Sequence, residues 1–236
     1  MAMAVDATGS SGDDYTSPIT WTHVVGSGEN MLLVVGVMVY SYEVQPTCSG
    51  VTYNGVAMTK VRGDQKSTTY FKVESSLWVL KAPASGSHTV SATISNYDPL
   101  NGTSGCGASI SFSGAAQVNA ADASNGTTGT STGAKTVNVT TVADNCYVVA
   151  AGIYGTDESD GTITVGSGST HIAGVLLYGG SFGDTEFQRS TGVKTPAGTF
   201  AANMTLATSS GGYAITAASF APYVSANAIL PQVIMV

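Results

Sequence analysis

The chain has 236 residues, of which 43% are apolar and only 10% charged, with a net charge of −7 and a pI of about 4.6. Eight Lys and Arg in all leave no basic surface to neutralise phosphates, which excludes direct nucleic-acid binding. Abundant Gly (29 residues) beside many Thr and Val favours closely spaced strands and tight turns over helices.

Met1 to Ala7 reads as a short first strand, followed by a polar loop from Thr8 to Ser17. No secretory leader is seen in Met-Ala-Met-Ala-Val-Asp, so assembly in a cytoplasm is expected. Ile19-Thr-Trp-Thr-His-Val24 alternates as a strand, with Ile19, Trp21 and His23 on one face and His23 half-exposed. Asn30-Met-Leu-Leu-Val-Val-Gly-Val-Met-Val-Tyr40 is the densest internal apolar run and predicts a central strand buried on both faces. A membrane-spanning helix needs about 20 apolar residues. This run is half that, so no membrane insertion is expected.

Val51 to Thr59 contains Asn54-Gly55 between two alternating runs, which predicts a two-residue type I′ hairpin. Lys60 to Thr68 is polar and reads as a loop. Tyr70 to Lys81 reads as one bent strand or a pair, and His88 to Ser95 as a strand of period two. After a loop from Asn96 to Gly107, Ala108 to Phe112 alternates again. Gly114 to Gly133 has few large apolar residues and reads as a long crossover between sheets. Thr136 to Ile153 echoes Thr20 to Val37: an alternating strand, a turn ending in Asn, then a continuous apolar strand. The echo is structural and too degenerate for a sequence repeat. Ile163–Val165, His171–Tyr178, Phe200–Leu206 and Tyr213–Phe220 read as further strands, with Phe187 near an edge.

Chemical motifs are sparse. Gly179-Gly-Ser-Phe-Gly183 matches a nucleophile elbow, but no helix pattern follows and no histidine lies beyond His171. Asp157, Glu158 and Asp160 form an acidic turn without the spacing of a calcium loop. Asp184 and Glu186 are two apart on a strand and share a face, as an acid/base pair would, without an aromatic platform beside them. Arg62-Gly-Asp64 is an adhesion tripeptide read as a turn. Asn101, Asn125, Asn138 and Asn203 begin glycosylation sequons, which matter only in a glycosylating route. Tyr15, Trp21, Tyr40, Tyr42, Tyr53 and Tyr70 suit either a sugar-stacking surface or core and cross-strand pairs. Cys48, Cys106 and Cys146 have no zinc-ligand spacing; Cys146 reads as a core residue. Cys48 and Cys106 read as loop residues, with a disulfide between them left open. No catalytic, cofactor or metal residue is assigned.

The C-terminal segment is the remaining apolar run. Ile229, Leu230, Val233, Ile234, Met235 and Val236 would each gain about 1.5–3 kcal/mol on full burial. They are the expected assembly interface, pairing within the chain or adding a strand to a neighbour. The expected organisation is a domain over residues 1–221 and a docking tail over 222–236.

Ile19-Thr-Trp-Thr-His23, Asn30 to Val37, Val51 to Thr59, Leu77-Trp-Val-Leu-Lys-Ala-Pro83 and Gly86 to Val90 together carry a resemblance. Ser111-Phe-Ser-Gly114 with Gln117, and Gly129 to Thr132, continue it. Over residues 1–221 the chain resembles the jelly-roll β-sandwich proteins common among tailed-phage structural proteins and bacterial surface proteins. The resemblance implies an all-β fold, a single large antiparallel, jelly-roll-like β-sandwich, and carries no catalytic residues; the apolar run after Phe220 lies outside it and reads as an extended C-terminal strand. The resemblance also implies a virion structural protein, foremost a capsid decoration protein on the virion surface, with capsid or sister subunits as partners in a homo-oligomer. An extracellular filament subunit joined by donor-strand exchange and a module binding cell-surface glycans are the alternatives.

Overall fold

A computed structural model describes residues 2–98, 102–131, 133–155, 163–177, 183–206 and 211–225. The described residues form an antiparallel all-β fold with no helix, as expected. The first half contains β1 (Ala4–Asp14), β2 (Ile19–Val25), β3 (Leu32–Ser41), β4 (Thr47–Tyr53), β5 (Val56–Ala57), β6 (Thr59–Ser67), β7 (Lys72–Lys81), β8 (Gly86–Ser95) and β9 (Ser104–Ser113). The second contains β10 (Ala123–Gly129), β11 (Gly133–Thr140), β12 (Tyr147–Gly155), β13 (Ile163–Val165), β14 (Ser169–Ala173), β15 (Leu176–Leu177), β16 (Gly183–Ser190), β17 (Thr199–Leu206) and β18 (Gly212–Phe220).

These strands build four sheets. In the first half β1-β9-β3-β7-β6 faces β2-β8-β4-β5; in the second β10-β18-β12-β16-β14 faces β11-β17-β13. The two larger sheets pack against each other. The layers therefore run β2 sheet, β3 sheet, β12 sheet, β11 sheet, with one apolar core in each of the three gaps. Residues 32, 34, 38 and 40 of β3 enter the middle core, while 33, 35, 37 and 39 enter the core of the first half. That explains a run of ten buried residues: the strand has a sheet on each side.

The second half repeats the order of the first, except that β5 has no counterpart in the smaller sheet among the described residues. The larger sheets place the first strand beside the last, the last beside the third, and the third beside the seventh or its counterpart. Local devices repeat too. Asn30 and Asn145 both adopt positive φ (53° and 60°) just before the central strand. Asp6 accepts hydrogen bonds from Ser111 Oγ (2.7 Å) and Gly26 N–H (2.9 Å); Asp122 accepts from Ser219 Oγ (3.1 Å) and Val142 N–H (2.8 Å). Lys81-Ala-Pro83-Ala-Ser-Gly86 precedes β8 as Lys194-Thr-Pro196-Ala-Gly198 precedes β17. The β6–β7 ladder slips between Lys60 and Arg62, and the β14–β16 ladder between His171 and Ala173, at the same place in each sheet. The echo seen in the sequence is thus one part of a tandem structural repeat.

Three polar stretches are strands where loops were expected. β1 continues through Thr8–Asp14, β6 occupies Thr59–Ser67, and β10 lies inside the presumed crossover. All three lie at sheet edges, where one face is wet and side-chain alternation need not be apolar. With them, each half has enough strands for its own sandwich. Asn54 (φ 50°) and Gly55 (φ 76°) form the expected turn between Tyr53 and Val56. The disulfide between Cys48 and Cys106 does not form: both are buried free thiols on strands β4 and β9, in different cores.

Candidate functional site

The clearest concentration of perturbed ionisable groups lies on β16, the counterpart of β7. Alternation puts Asp184, Glu186 and Gln188 on one face, and all three are buried, to 1%, 2% and 1% exposure. They face the smaller sheet: Gln188 Nε2 donates to the Asn203 carbonyl of β17 at 3.3 Å. From the neighbouring strand His171, half-exposed, brings Nδ1 to 2.9 and 2.8 Å from the two Glu186 oxygens. Burial pushes the Asp184 carboxyl up to about 7 and the Glu186 carboxyl up to about 8. Among the described residues, neither Asp184 oxygen nor Gln188 Oε1 has a hydrogen-bond partner.

The first half shows how the same position is normally served. Counting along paired strands, Glu74 of β7 corresponds to Asp184, because Leu77 and Phe187 stand opposite the equivalent residues Gly36 and Ala151. Glu74 is fully buried and fully partnered. Its Oε1 pairs with Lys60 Nζ at 2.9 Å, and its Oε2 accepts from Cys48 N–H (2.9 Å) and Gln65 Nε2 (3.1 Å). His171 holds the register place of Lys60, but it reaches Glu186, one pleat repeat away from Asp184. Leu176 stands in register with Asp184 where Gln65 stands in register with Glu74. Gly63 and Gly174 are matched as well. A Cβ on Gly63 would lie 2.7 Å from Lys60 Cε, and one on Gly174 would lie 2.6 Å from the Thr185 carbonyl oxygen and 3.1 Å from Glu186 Oε2. Gly63 leaves room for Lys60, and Gly174 for the β16 backbone as well as for Glu186. Chemically, the β16 pair can take up and release protons near neutrality, but its burial keeps it from touching a substrate in solution.

A second polar cluster sits in the first half. His23, expected to be half-exposed, is 1% exposed. Its Nδ1 lies 2.9 Å from Ser109 Oγ and its Nε2 3.0 Å from Ser111 Oγ. Ser111 donates to Asp6, so Nε2 carries the proton and donates to Ser111; Ser109 accepts from Trp21 Nε1 at 2.9 Å, and its hydroxyl faces both Nδ1 and Gly9 O (3.2 Å). Burial lowers the His23 pKa to about 4, so the ring is neutral. A serine–histidine–serine–aspartate chain would suggest nucleophilic chemistry; here His23, Ser109 and Ser111 are buried, Asp6 at its end is exposed, and the chain ties β2 to β9 across the sandwich. Aromatic Trp21 hid this cluster in the sequence, since its partners lie more than 80 residues away.

The other sequence candidates separate. Arg62-Gly-Asp64 lies on β6, not in a turn; Arg62 pairs bidentately with Asp64 at 2.8 Å, and Asp64 accepts from Thr216 of the second half at 2.8 Å. Asn125, Asn138 and Asn203 lie on strands β10, β11 and β17. Of the aromatic group, Trp21, Tyr40 and Tyr53 are core residues, while Tyr15, Tyr42 and Tyr70 are exposed. Tyr42 and Tyr70 contact each other, with ring centroids 5.9 Å apart and planes tilted by 32°. Asp157, Glu158, Asp160, Ser181, Asn101 and the tail residues Ile229, Leu230, Val233, Ile234, Met235 and Val236 lie outside the described residues. Among the described residues no group of three or more His, Cys, Asp or Glu is placed to hold a metal ion. No family model, no curated protein and no solved structure matches the chain.

Proposed function

We propose that the chain is a non-enzymatic virion structural protein, a capsid decoration protein of the tailed-phage kind, assembled in the host cytoplasm and acting through surface contacts with capsid or sister subunits. The observation that carries the reading is strand order. In a jelly roll, the eight strands fold as two sheets in which first and last are neighbours and each sheet alternates early and late strands. The order β1-β9-β3-β7 facing β2-β8-β4-β5 fits that pattern with β6 added at one edge, and β10-β18-β12-β16, with β14 added at its edge, facing β11-β17-β13 fits most of it. Capsid and lectin domains use this architecture. The buried β16 carboxyls and the buried His23 chain serve the interior in this reading. Antibody against the purified chain should decorate the capsid surface of phage particles from a lysate in which the chain is made. Unlabelled particles, with the chain left in the soluble fraction, overturn the proposal.

One observation favours a second reading, a carbohydrate-binding surface module. Tyr42 (40% exposed) and Tyr70 (56% exposed) present two touching rings at one end of the β3 sheet, and exposed aromatics stack on sugar rings through their apolar faces. A glycan array that is positive for the native chain and silent for the Tyr42→Ala/Tyr70→Ala variant would select this reading.

A further inference from the structure

The chain contains three Asn-Gly bonds, and the fold treats two of them in opposite ways; the third, Asn101-Gly102, begins outside the described residues. The backbone nitrogen that follows an asparagine can attack the side-chain amide carbon, and a following glycine leaves that approach unhindered. The attack needs a free side-chain amide and a peptide bond able to turn toward it. Asn125-Gly126 offers neither. Both residues lie in an unbroken ladder that pairs Ala123–Gly129 with β18. Asn125 Nδ2 donates to Asn138 O at 2.9 Å, and its Oδ1 accepts from Gly126 N–H at 2.9 Å. Space is closed as well, since a Cβ on Gly126 would run into the Asp64 carboxylate.

Asn54-Gly55 is free on every count. Both residues are exposed at the tip of the β4–β5 hairpin, and a Cβ on Gly55 would meet no neighbour within 4 Å. Neither the Asn54 side-chain amide nor Gly55 N–H has a hydrogen-bond partner among the described residues. The tip is anchored by Asn54 N–H to Thr89 O at 3.0 Å. Beyond it β5 is a two-residue strand at the edge of its sheet, so turning the Asn54–Gly55 peptide disrupts little. We propose that Asn54 is a site of spontaneous modification, in which the Gly55 nitrogen cyclises onto the side chain. The nitrogen gives its proton to solvent base and bonds to Asn54 Cγ; the Cγ–Nδ2 bond breaks and ammonia leaves. Water then opens the cyclic imide at either carbonyl, giving an aspartyl or an isoaspartyl residue. One water enters, one ammonia departs, and nothing is oxidised or reduced. The product carries a new negative charge. Strands β2, β4, β5 and β8 contain no Lys, Arg, Asp or Glu, so this charge is the first in the sheet that the hairpin belongs to. The isoaspartyl form also lengthens the backbone of a turn built on two positive φ angles, which loosens β5.

The test is incubation of the full chain at pH 8, with peptide mapping by mass spectrometry and fragment ions to locate the amide-to-acid change at each asparagine. In the folded chain Asn54 should convert at least tenfold faster than Asn125. In urea the two rates should converge, because both bonds are then Asn-Gly in an unfolded chain. Gly55→Ala should slow conversion of Asn54 at least tenfold, since a methyl group hinders the attacking nitrogen. Asn125 in the same variant serves as the internal check, because a loosened fold would speed its conversion. Equal rates in the folded chain overturn the inference. A difference that persists in urea does so too, since it belongs to the flanking residues and not to the fold. Conversion of Asn54 that Gly55→Ala leaves unchanged shows direct hydrolysis of the amide and overturns the cyclic route.

Discussion

Glu74 and Asp184 occupy the same place in two copies of one sandwich and have opposite surroundings. Glu74 has a cation and two N–H donors; Asp184 has no partner for either oxygen among the described residues. The fold thus fixes where a carboxylate sits, while three neighbours on adjoining strands decide whether it can carry charge. The first half resolved its buried acid as an ion pair. The second moved its base-paired acid to Glu186 and left Asp184 to be held neutral by burial.

The largest expected effect breaks that contrast directly. Lys60→Met should destabilise the protein by about 3 kcal/mol, because it strands the buried Glu74 charge. Asp184→Asn should do the reverse at pH 9, stabilising by about 1–3 kcal/mol, because it removes an unpartnered buried carboxylate. Urea unfolding of both variants checks the pair; a loss of stability in Asp184→Asn at pH 9 would show that Asp184 is compensated.

The pH dependence sharpens the comparison. Asp184 and Glu186 keep their protons in the folded state up to about 7 and 8 but lose them near 4 when unfolded. Their contribution is complete below about pH 4 and is lost as pH rises through 7 to 8. His23 acts in the opposite sense. The unfolded ring takes a proton below 6.5 and the folded ring only near 4. Stability therefore falls by up to about 3 kcal/mol as pH drops across that window. In the Asp184→Asn/Glu186→Gln variant the acid-side fall should stand alone and appear steeper than in the native chain, as followed by denaturation midpoints from pH 4 to 8.

A packing test probes the interface between the halves. A Cβ on Gly36 would lie 2.6 Å from the Phe187 ring and 3.2 Å from the Ala151 Cβ. Their counterparts, the larger Ala151 and the smaller Leu77, lie in the same core. Gly36→Ala should cost about 1–3 kcal/mol through overpacking, and Phe187→Leu in the same chain should return part of it. Thermal melts of the single and double variants measure this coupling. The smallest effect should come from Ser219→Ala, which removes one hydrogen bond to Asp122 and should cost about 1 kcal/mol. Ser111→Ala should cost about 1–3 kcal/mol, because it also leaves the buried His23 Nε2–H without its acceptor; equal costs in urea unfolding would show that the His23 chain adds nothing.

Much of the fold was legible in the residues. Asn54-Gly55 specified its turn because only residues tolerant of positive φ fit there. Ten apolar residues in β3 specified a strand with both faces covered. The shared face of Asp184 and Glu186 followed from a period of two. Edge strands β1, β6 and β10 were not legible, because their Ser, Gly, Thr and charged residues match a loop as well as a wet edge. Nor was the burial of His23, whose partners Ser109 and Ser111 come from a strand some 86 residues on.

By itself the sequence determined which segments extend, where several of them turn, and which residues alternate. Tertiary structure alone decided that four sheets stack in place of two, and which half each strand serves. It also decided that Glu74 is a paired carboxylate while Asp184 is an unpartnered acid. The physical reason is range. Alternation and turn geometry act between neighbours along the chain, whereas burial and pairing depend on whichever strand lies opposite. A strand pattern says that a face must be covered, and only packing says what covers it.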